Sequence, residues 1–210
     1  MSDPGFTVYR GLVRALSAGP TGVHWDTGPG EAVFFTDGSY RYGLPPRGLP
    51  SAPDRAEIPS RWGTWTEADG VVEVTRGGVV ESHLARTNDA LVDTDHGVEW
   101  TTVTGFPAGT RLDGSFARAD FRDPGAPRIA LSSDGRFVTT GSFATMVGSL
   151  MRVVGPITDA SLTEGSGTYT IAPFQLALAF DDGRELHFAL LPAPGEPTGL
   201  QVGESVLARD

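Results

Sequence analysis

Apolar and polar residues alternate along much of this chain with a period of two, which is typical of half-buried β-strands. The clearest example is the segment 175–190, where large apolar residues occupy every second position on both sides of a turn at Asp182-Gly183: Leu176, Leu178, Phe180, Leu186, Phe188 and Leu190. Asp-Gly suits a tight hairpin because both central residues of the favoured turn need a positive φ. The segment is therefore predicted to form an antiparallel hairpin with one buried face.

The same kind of signal recurs along the chain and predicts an all-β fold. Further Asp-Gly pairs stand at 37–38, 69–70, 113–114 and 134–135. The other predicted strands are 31–36, 39–43, 62–67, 98–104, 128–132, 136–140 and 166–171. The proline-rich stretches 44–53 and 192–197 are predicted to be loops, because proline cannot donate a hydrogen bond to a central ladder.

One segment departs from the strand pattern and predicts a short apolar helix near 143–154. Its large apolar residues recur at helical spacing: Phe143, Val147, Leu150, Met151 and Val154. We favour a core helix that plugs the end of a barrel, because an apolar helical stripe usually faces a core. The alternative is a mobile lid over a ligand cavity, in which Phe143, Val147 and Met151 would contact the ligand.

The chain also repeats itself. Three stretches have a counterpart about 100 residues later: Gly63-Thr64-Trp65-Thr66 and Gly167-Thr168-Tyr169-Thr170, Glu81 to Ala85 and Glu185 to Ala189, and Phe34 to Tyr40 and Leu131 to Phe137. The repeats of solenoid proteins are shorter, at roughly 20–50 residues, so this period indicates duplicated units. We predict two similar antiparallel β units, 1–105 and 106–210, either as separate small barrels or packed as one barrel-like body. In both copies, glycine precedes an aromatic core anchor, Trp65 or Tyr169.

The repeated unit resembles a known kind of protein. Gly-Thr-aromatic-Thr, an apolar strand, Asp181-Asp182-Gly183-Arg184 and a second strand are similar to the hairpin unit of uncharacterised bacterial all-β proteins with duplicated, loosely lipocalin-like lobes. The resemblance covers about 60–86 and 164–191, and the first copy has Gly77-Gly78 in place of the second copy's aspartates and glycine. It implies a fold and carries no catalytic residues.

Composition narrows the classes of function. The net charge of −10 is unfavourable for contact with nucleic acid or an anionic membrane, and all sixteen basic residues are arginine. The absence of cysteine excludes disulfides and thiolate metal sites, and it fits a reducing compartment. With no signal-like N-terminus and no long apolar stretch, we expect a cytoplasmic protein.

Glu-x-His-x-Ala is the one repeated polar pattern, and it supplies the candidate site. Glu81 and His83 are expected to share one strand face, as are Glu185 and His187, because residues i and i+2 of a strand point the same way. If the four converged, two imidazoles and two carboxylates would suit a divalent metal or acid–base chemistry. We favour the alternative that they form the wetted face of a hairpin, with no metal bound. A second acidic cluster, Asp93-Thr94-Asp95-His96-Gly97, is predicted to be a surface turn held by aspartate.

These observations favour a non-catalytic binding or interaction module that uses a barrel cavity or a sheet edge, with a small hydrophobic ligand or a protein as partner. No cofactor is expected. One alternative is a cofactor-independent enzyme, cyclase- or isomerase-like, acting on a small hydrophobic substrate in a barrel cavity. The other is a structural component of a larger assembly that pairs through its strand edges.

Overall fold

The computed structural model describes residues 5–19, 22–45, 48–49, 55–56, 58–88, 90–118, 126–141, 164–195, 198–203 and 205–210, with only the backbone for the strand residues among 14–27. The described chain is all-β, as the alternation predicted, and forms two similar closed antiparallel barrels of eight strands each. A 3-10 turn spans Pro59–Arg61. The predicted helix at 143–154 lies outside the described residues.

In each barrel, strands that follow one another in sequence are neighbours, and the last strand closes on the first. The first barrel consists of β1 (Phe6–Gly19), β2 (Gly22–Phe35), β3 (Ser39–Tyr42), β4 (Trp62–Ala68), β5 (Val71–Arg76), β6 (Val79–Arg86), β7 (Ala90–Asp93) and β8 (Glu99–Thr102). The second consists of β9 (Gly114–Arg118), β10 (Arg128–Leu131), β11 (Arg136–Thr140), β12 (Gly165–Ala172), β13 (Gln175–Phe180), β14 (Glu185–Pro192), β15 (Leu200–Val202) and β16 (Ser205–Arg209). No helix within the described ranges has the length and apolar character needed to cross a membrane.

The duplication extends to the hydrogen bonds of the two core anchors. The indole Nε1 of Trp65 donates to the carbonyl of Phe35 over 2.9 Å, and the hydroxyl of Tyr169 donates to the carbonyl of Ser132 over 3.0 Å. These two carbonyls occupy matching turns of the repeat, at the ends of β2 and β10. Tyr169 is buried and Trp65 is partly buried. Each anchor therefore ties its own strand, β4 or β12, to the corresponding turn of its own barrel.

The glycine of the repeated motif is required by the close approach of the next strand. A Cβ atom on Gly63 would lie 2.1 Å from the carbonyl oxygen of Thr75, and one on Gly167 would lie 2.0 Å from that of Ala179. In both barrels the obstacle is the backbone of the neighbouring strand, which cannot move aside without disturbing its ladder. This steric limit explains why both copies have glycine there.

The chain divides into two compact units, and their boundary does not follow the chain order. The first unit is Met1–Gly43 with Pro59–Val103, and the second is Leu44–Ile58 with Thr104–Asp210. The connection from β3 to β4 therefore belongs to the second unit. Its residues Leu44, Leu49 and Ile58 are buried.

We expect Leu44→Ala to destabilise the second unit although the residue follows a strand of the first barrel. Leu44 is 1% exposed, and removing a buried leucine side chain usually costs about 2–5 kcal/mol. All four tryptophans fall in the first unit's part of the sequence, so their fluorescence reports that unit. Calorimetry should show a lower-melting transition that tryptophan emission does not follow. A shift of the tryptophan transition alone would contradict the assignment of 44–58.

Candidate functional site: a cavity in the first barrel

The two barrels share a fold and differ in how their interiors are filled. Buried apolar residues from all eight strands fill the second barrel: Phe116, Ile129, Leu131, Phe137, Tyr169, Ile171, Leu176, Leu178, Phe180, Phe188, Leu190, Leu200, Val202 and Leu207. The first barrel has a smaller buried cluster: Tyr9, Ala32, Phe34, Tyr40, Val72, Val74, Leu84, Leu91 and Trp100. The rest of the first barrel's interior is lined in part by polar side chains.

The difference is clearest at one pair of facing positions. In the second barrel, Phe137 and Phe180 flank Gly167 in the ladders and pack edge to face, with ring centroids 4.9 Å apart. In the first barrel, Tyr40 and Arg76 flank Gly63 in the same way. A phenol and a guanidinium thus replace an apolar aromatic pair, and they introduce polar groups into the barrel.

A cavity of about 1240 Å³ lies beside this pair, large enough for a drug-sized ligand. It is lined by Leu12, Val13, Tyr40, Tyr42, Arg76, Glu81, Ser82, Asp93, His96, Gly97, Val98, Glu99 and Trp100. Most of these residues stand where β5 turns into β6 and β7 turns into β8. The cavity therefore occupies that end of the barrel.

An ion pair crosses the cavity wall between Arg76 and Glu81. The Nε of Arg76 donates to Oε2 of Glu81 over 2.9 Å, and Nη2 donates to Oε1. Nη1 of Arg76 also donates to the carbonyl of Ser60 over 3.3 Å, and the guanidinium lies 5.3 Å from the centroid of the Tyr42 ring. The two charged side chains are about one third exposed, so this ion pair is partly solvated.

Glu81 reaches the interior because of an irregularity in the ladder between β5 and β6. The register shifts between Val74, which pairs with Ser82, and Thr75, which pairs with Val80, so Glu81 is left without a ladder partner. Such a bulge puts an extra residue on one face of a strand. The expectation that Glu81 and His83 share a face is therefore wrong: Glu81 and Ser82 line the cavity, and His83 is exposed.

His83 stands on the outer face of the first barrel between two carboxylates. Its Nδ1 is 3.1 Å from Oδ2 of Asp95, and its Nε2 is 3.8 Å from Oε2 of Glu73. The hydrogen bond from the His83 ring is the main reason why the pKa of the Asp95 carboxyl lies below its ordinary value. These groups are about half exposed, in keeping with the wetted face that we favoured for His83.

The other predicted site residues lie away from this cavity. Glu185 and His187 are exposed on β14 of the second barrel, where they pair with Ala179 and Ala177. In the part of the chain that the structure describes, no group of three or more histidine, cysteine, aspartate or glutamate side chains could hold a metal ion. Phe143, Val147 and Met151 lie outside the described residues. Of the residues singled out for the site, the structure brings Glu81 into the cavity.

The acidic turn after β7 supplies a second carboxylate to the wall. Oδ1 of Asp93 accepts hydrogen bonds from the backbone N–H groups of Asp95 and His96, both over 2.9 Å. Its Oδ2 accepts one from the hydroxyl of Ser82 over 3.0 Å. This confirms the predicted turn held by aspartate. It also places a nearly buried carboxylate at the cavity, with the Nδ1 of His96 3.1 Å away.

Tyr40 contributes a hydroxyl whose hydrogen-bonding capacity is unused. The residue is 5% exposed and lines the cavity, and no hydrogen bond joins its hydroxyl to any residue within the described ranges. Burial raises the pKa of the phenol well above its usual range, and the nearby Glu81 carboxylate adds to the rise. The hydroxyl therefore stays protonated and can both donate and accept a hydrogen bond.

The raised pKa of Tyr40 predicts a loss of stability at high pH. Because the folded pKa is raised, the contribution of Tyr40 is fully present below the usual pKa of about 10 and is lost as pH rises through the folded value. Between the usual pKa and the folded value, the free energy of unfolding should therefore fall by up to about 1.4 kcal/mol per pH unit. In Tyr40→Phe, denaturation curves at about pH 10 and 11 should show a shallower fall. An unchanged slope would contradict this.

No protein-family model, curated protein or solved structure matches this chain. The resemblance of the hairpin unit to duplicated bacterial β proteins stays a prediction. The cavity is therefore the basis for a functional proposal. Of its polar residues, the sequence singled out Glu81 as a site candidate, and Asp93 and His96 as part of a surface turn. One signal was available: aligning the two copies places Tyr40 against Phe137 and Arg76 against Phe180.

Proposed function

We propose that this chain is a non-catalytic binding module and that the first barrel holds one small ligand in its cavity. The supporting observation is the contrast between the barrels. An eight-stranded barrel is just wide enough to be filled by side chains or to hold one small ligand. In the second barrel, buried apolar side chains from all eight strands pack together in the interior. This strand arrangement therefore does not by itself require a cavity. In the first barrel, Tyr40, Arg76 and Ser82 line the cavity with polar groups.

Binding is better supported than catalysis by the contacts of the cavity carboxylates. Glu81 is engaged by Arg76, and Asp93 is engaged by the turn that follows it and by Ser82. These bonds fix the positions of both carboxylates, whereas a general base must reach the proton that it removes. The ligand is a small molecule with an apolar portion, since Leu12, Val13 and Val98 share the lining.

We further propose that the protein works in the cytoplasm and that its partner is neither nucleic acid nor an anionic membrane. A net charge of −10 supports a partner other than nucleic acid or an anionic membrane. The absence of cysteine suits the reducing cytoplasm. Both points rest on composition, and both are independent of the cavity.

The neutral dye N-phenyl-1-naphthylamine tests whether the cavity binds an apolar molecule. Tryptophan emission should be quenched by energy transfer as one equivalent of dye binds, because all four tryptophans belong to the first unit. A filled variant, Arg76→Phe with Glu81→Leu, should lose this binding. The matched control, Glu185→Leu with His187→Phe, adds apolar side chains to an outer strand face and should retain it. Equal binding by the filled variant, or none by the native chain, would overturn the proposal.

A further inference from the structure

The charges around the cavity favour a cation. Among the described residues that line it, three carboxylates, those of Glu81, Asp93 and Glu99, stand against one guanidinium, that of Arg76. His96 stands beside Asp93 and is largely exposed. An anionic ligand would therefore meet a surplus of negative charge in a partly desolvated space, where electrostatic interactions are stronger than in bulk water.

The aromatic lining favours a cation as well. Tyr40, Tyr42 and Trp100 contribute rings to the wall, and the face of an aromatic ring attracts positive charge. The ring of Tyr42 already has two guanidinium groups near it, Arg76 at 5.3 Å and Arg61 at 5.6 Å from its centroid. This wall thus packs against cations in the protein itself.

Two oxygen atoms are placed to accept hydrogen bonds from an ammonium group. Arg76 donates one hydrogen bond to each oxygen of Glu81, and a carboxylate offers about four acceptor positions, so capacity remains. The Tyr40 hydroxyl has no hydrogen-bond partner within the described residues, and Tyr40 lines the same cavity as Glu81. A phenol oxygen and a carboxylate can each accept a hydrogen bond from an N–H donor.

We propose that the ligand of the first-barrel cavity is a small organic cation, a protonated amine attached to an apolar body. Its ammonium group would lie against Glu81 and the Tyr40 hydroxyl, and its apolar body would lie against Leu12, Val13 and Val98. This inference rests on the proposed binding function and names the class of ligand.

Titration calorimetry with three probes of one shape separates the charge preference from binding itself. The probes are 1-naphthylmethylamine, 1-naphthalenemethanol and 1-naphthoic acid, which are positive, neutral and negative at neutral pH. The amine should bind about tenfold or more tightly than the alcohol, and the acid should bind most weakly. Raising the salt concentration should reduce the advantage of the amine and leave the alcohol unchanged.

Two variants test the role of the carboxylates. Glu81→Gln should reduce the advantage of the amine over the alcohol about tenfold while leaving the affinity for the alcohol nearly unchanged. Glu185→Gln, at the matching but exposed position of the second barrel, is the control and should bind like the native chain. Native-like tryptophan emission shows that the variant is folded. If Glu81→Gln fails that check, Glu99→Gln takes its place, with a smaller loss expected because Glu99 is exposed.

The outcomes distinguish the ligand class from the binding function. If the alcohol binds and the acid binds as tightly as the amine, the cation preference is wrong and the binding function stands. If none of the three probes binds, both proposals are overturned. An amine affinity that neither carboxylate variant changes would also overturn the cation site.

Discussion

Gly63→Ala should lower the free energy of unfolding of the first barrel by about 3 kcal/mol or more, and Gly167→Ala should do the same to the second. In each case the new methyl group would lie about 2 Å from a carbonyl oxygen of the adjacent strand. Strand backbone cannot yield as a flexible side chain can, because it is held by hydrogen bonds on both sides. The loss should therefore reach or exceed the upper range for overpacking a core.

Chemical denaturation followed by tryptophan emission measures the Gly63 variant, and calorimetry measures the Gly167 variant. Gly28→Ala is the matched control, since Gly28 also lies in a strand and a Cβ there would meet no atom of the described residues within 4 Å. Alanine at that position should be neutral or slightly stabilising, because it restricts the unfolded chain. A change below about 0.5 kcal/mol in both motif variants would show that the strands can separate to admit a methyl group.

Breaking the cavity ion pair should cost more than removing it. Glu81→Leu leaves the Arg76 guanidinium without its carboxylate, and we expect a loss of about 2 kcal/mol in the free energy of unfolding. The double change Arg76→Leu with Glu81→Leu should recover most of that loss, because an apolar pair can replace an ion pair at little cost. Urea denaturation of the native chain, both single variants and the double variant gives the coupling energy.

The exposed pair Arg136–Asp181 is the control for this cycle. It makes two hydrogen bonds, over 3.1 and 2.8 Å, and both side chains are about half exposed. Solvent screens such a pair, so its coupling should be much smaller than that of Arg76 with Glu81. Equal coupling in the two pairs would mean that the cavity pair is as well solvated as a surface pair.

Local patterns were enough to predict the all-β fold and its duplication. Side-chain alternation and Asp-Gly turns act over a few residues, so they can be read without knowing which strands pair. The same approach missed the length of β2, because the strand predicted there was 31–36 and did not include Gly28-Pro29-Gly30. The structure runs β2 through these residues, with Pro29 paired to Leu12 of β1. The ladder between β2 and β3 covers Ala32 to Phe34 and does not reach Pro29. Pro29 therefore needs no backbone N–H for a bond to β3 and is tolerated in the strand.

The candidate site was predicted less well, since it depends on cross-strand geometry. The period-two rule assigned Glu81 and His83 to one face, and the bulge opposite Thr75 turns Glu81 inward. A bulge changes the pairing of two strands without changing the alternation that either strand shows. The sequence could therefore identify Glu81 as a candidate but could not place it in the cavity.

By itself, the sequence determined that this chain is built from two β units, each with a glycine before an aromatic anchor, because those features follow from local sterics and repetition. Only the tertiary structure decided that one barrel is filled and the other has a cavity. That outcome depends on residues far apart in the chain, such as Tyr40 and Arg76, which flank Gly63 because the β3–β4 and β4–β5 ladders align both with it. Interior volume is set by the sum of such cross-strand neighbours, and no single stretch of sequence contains them.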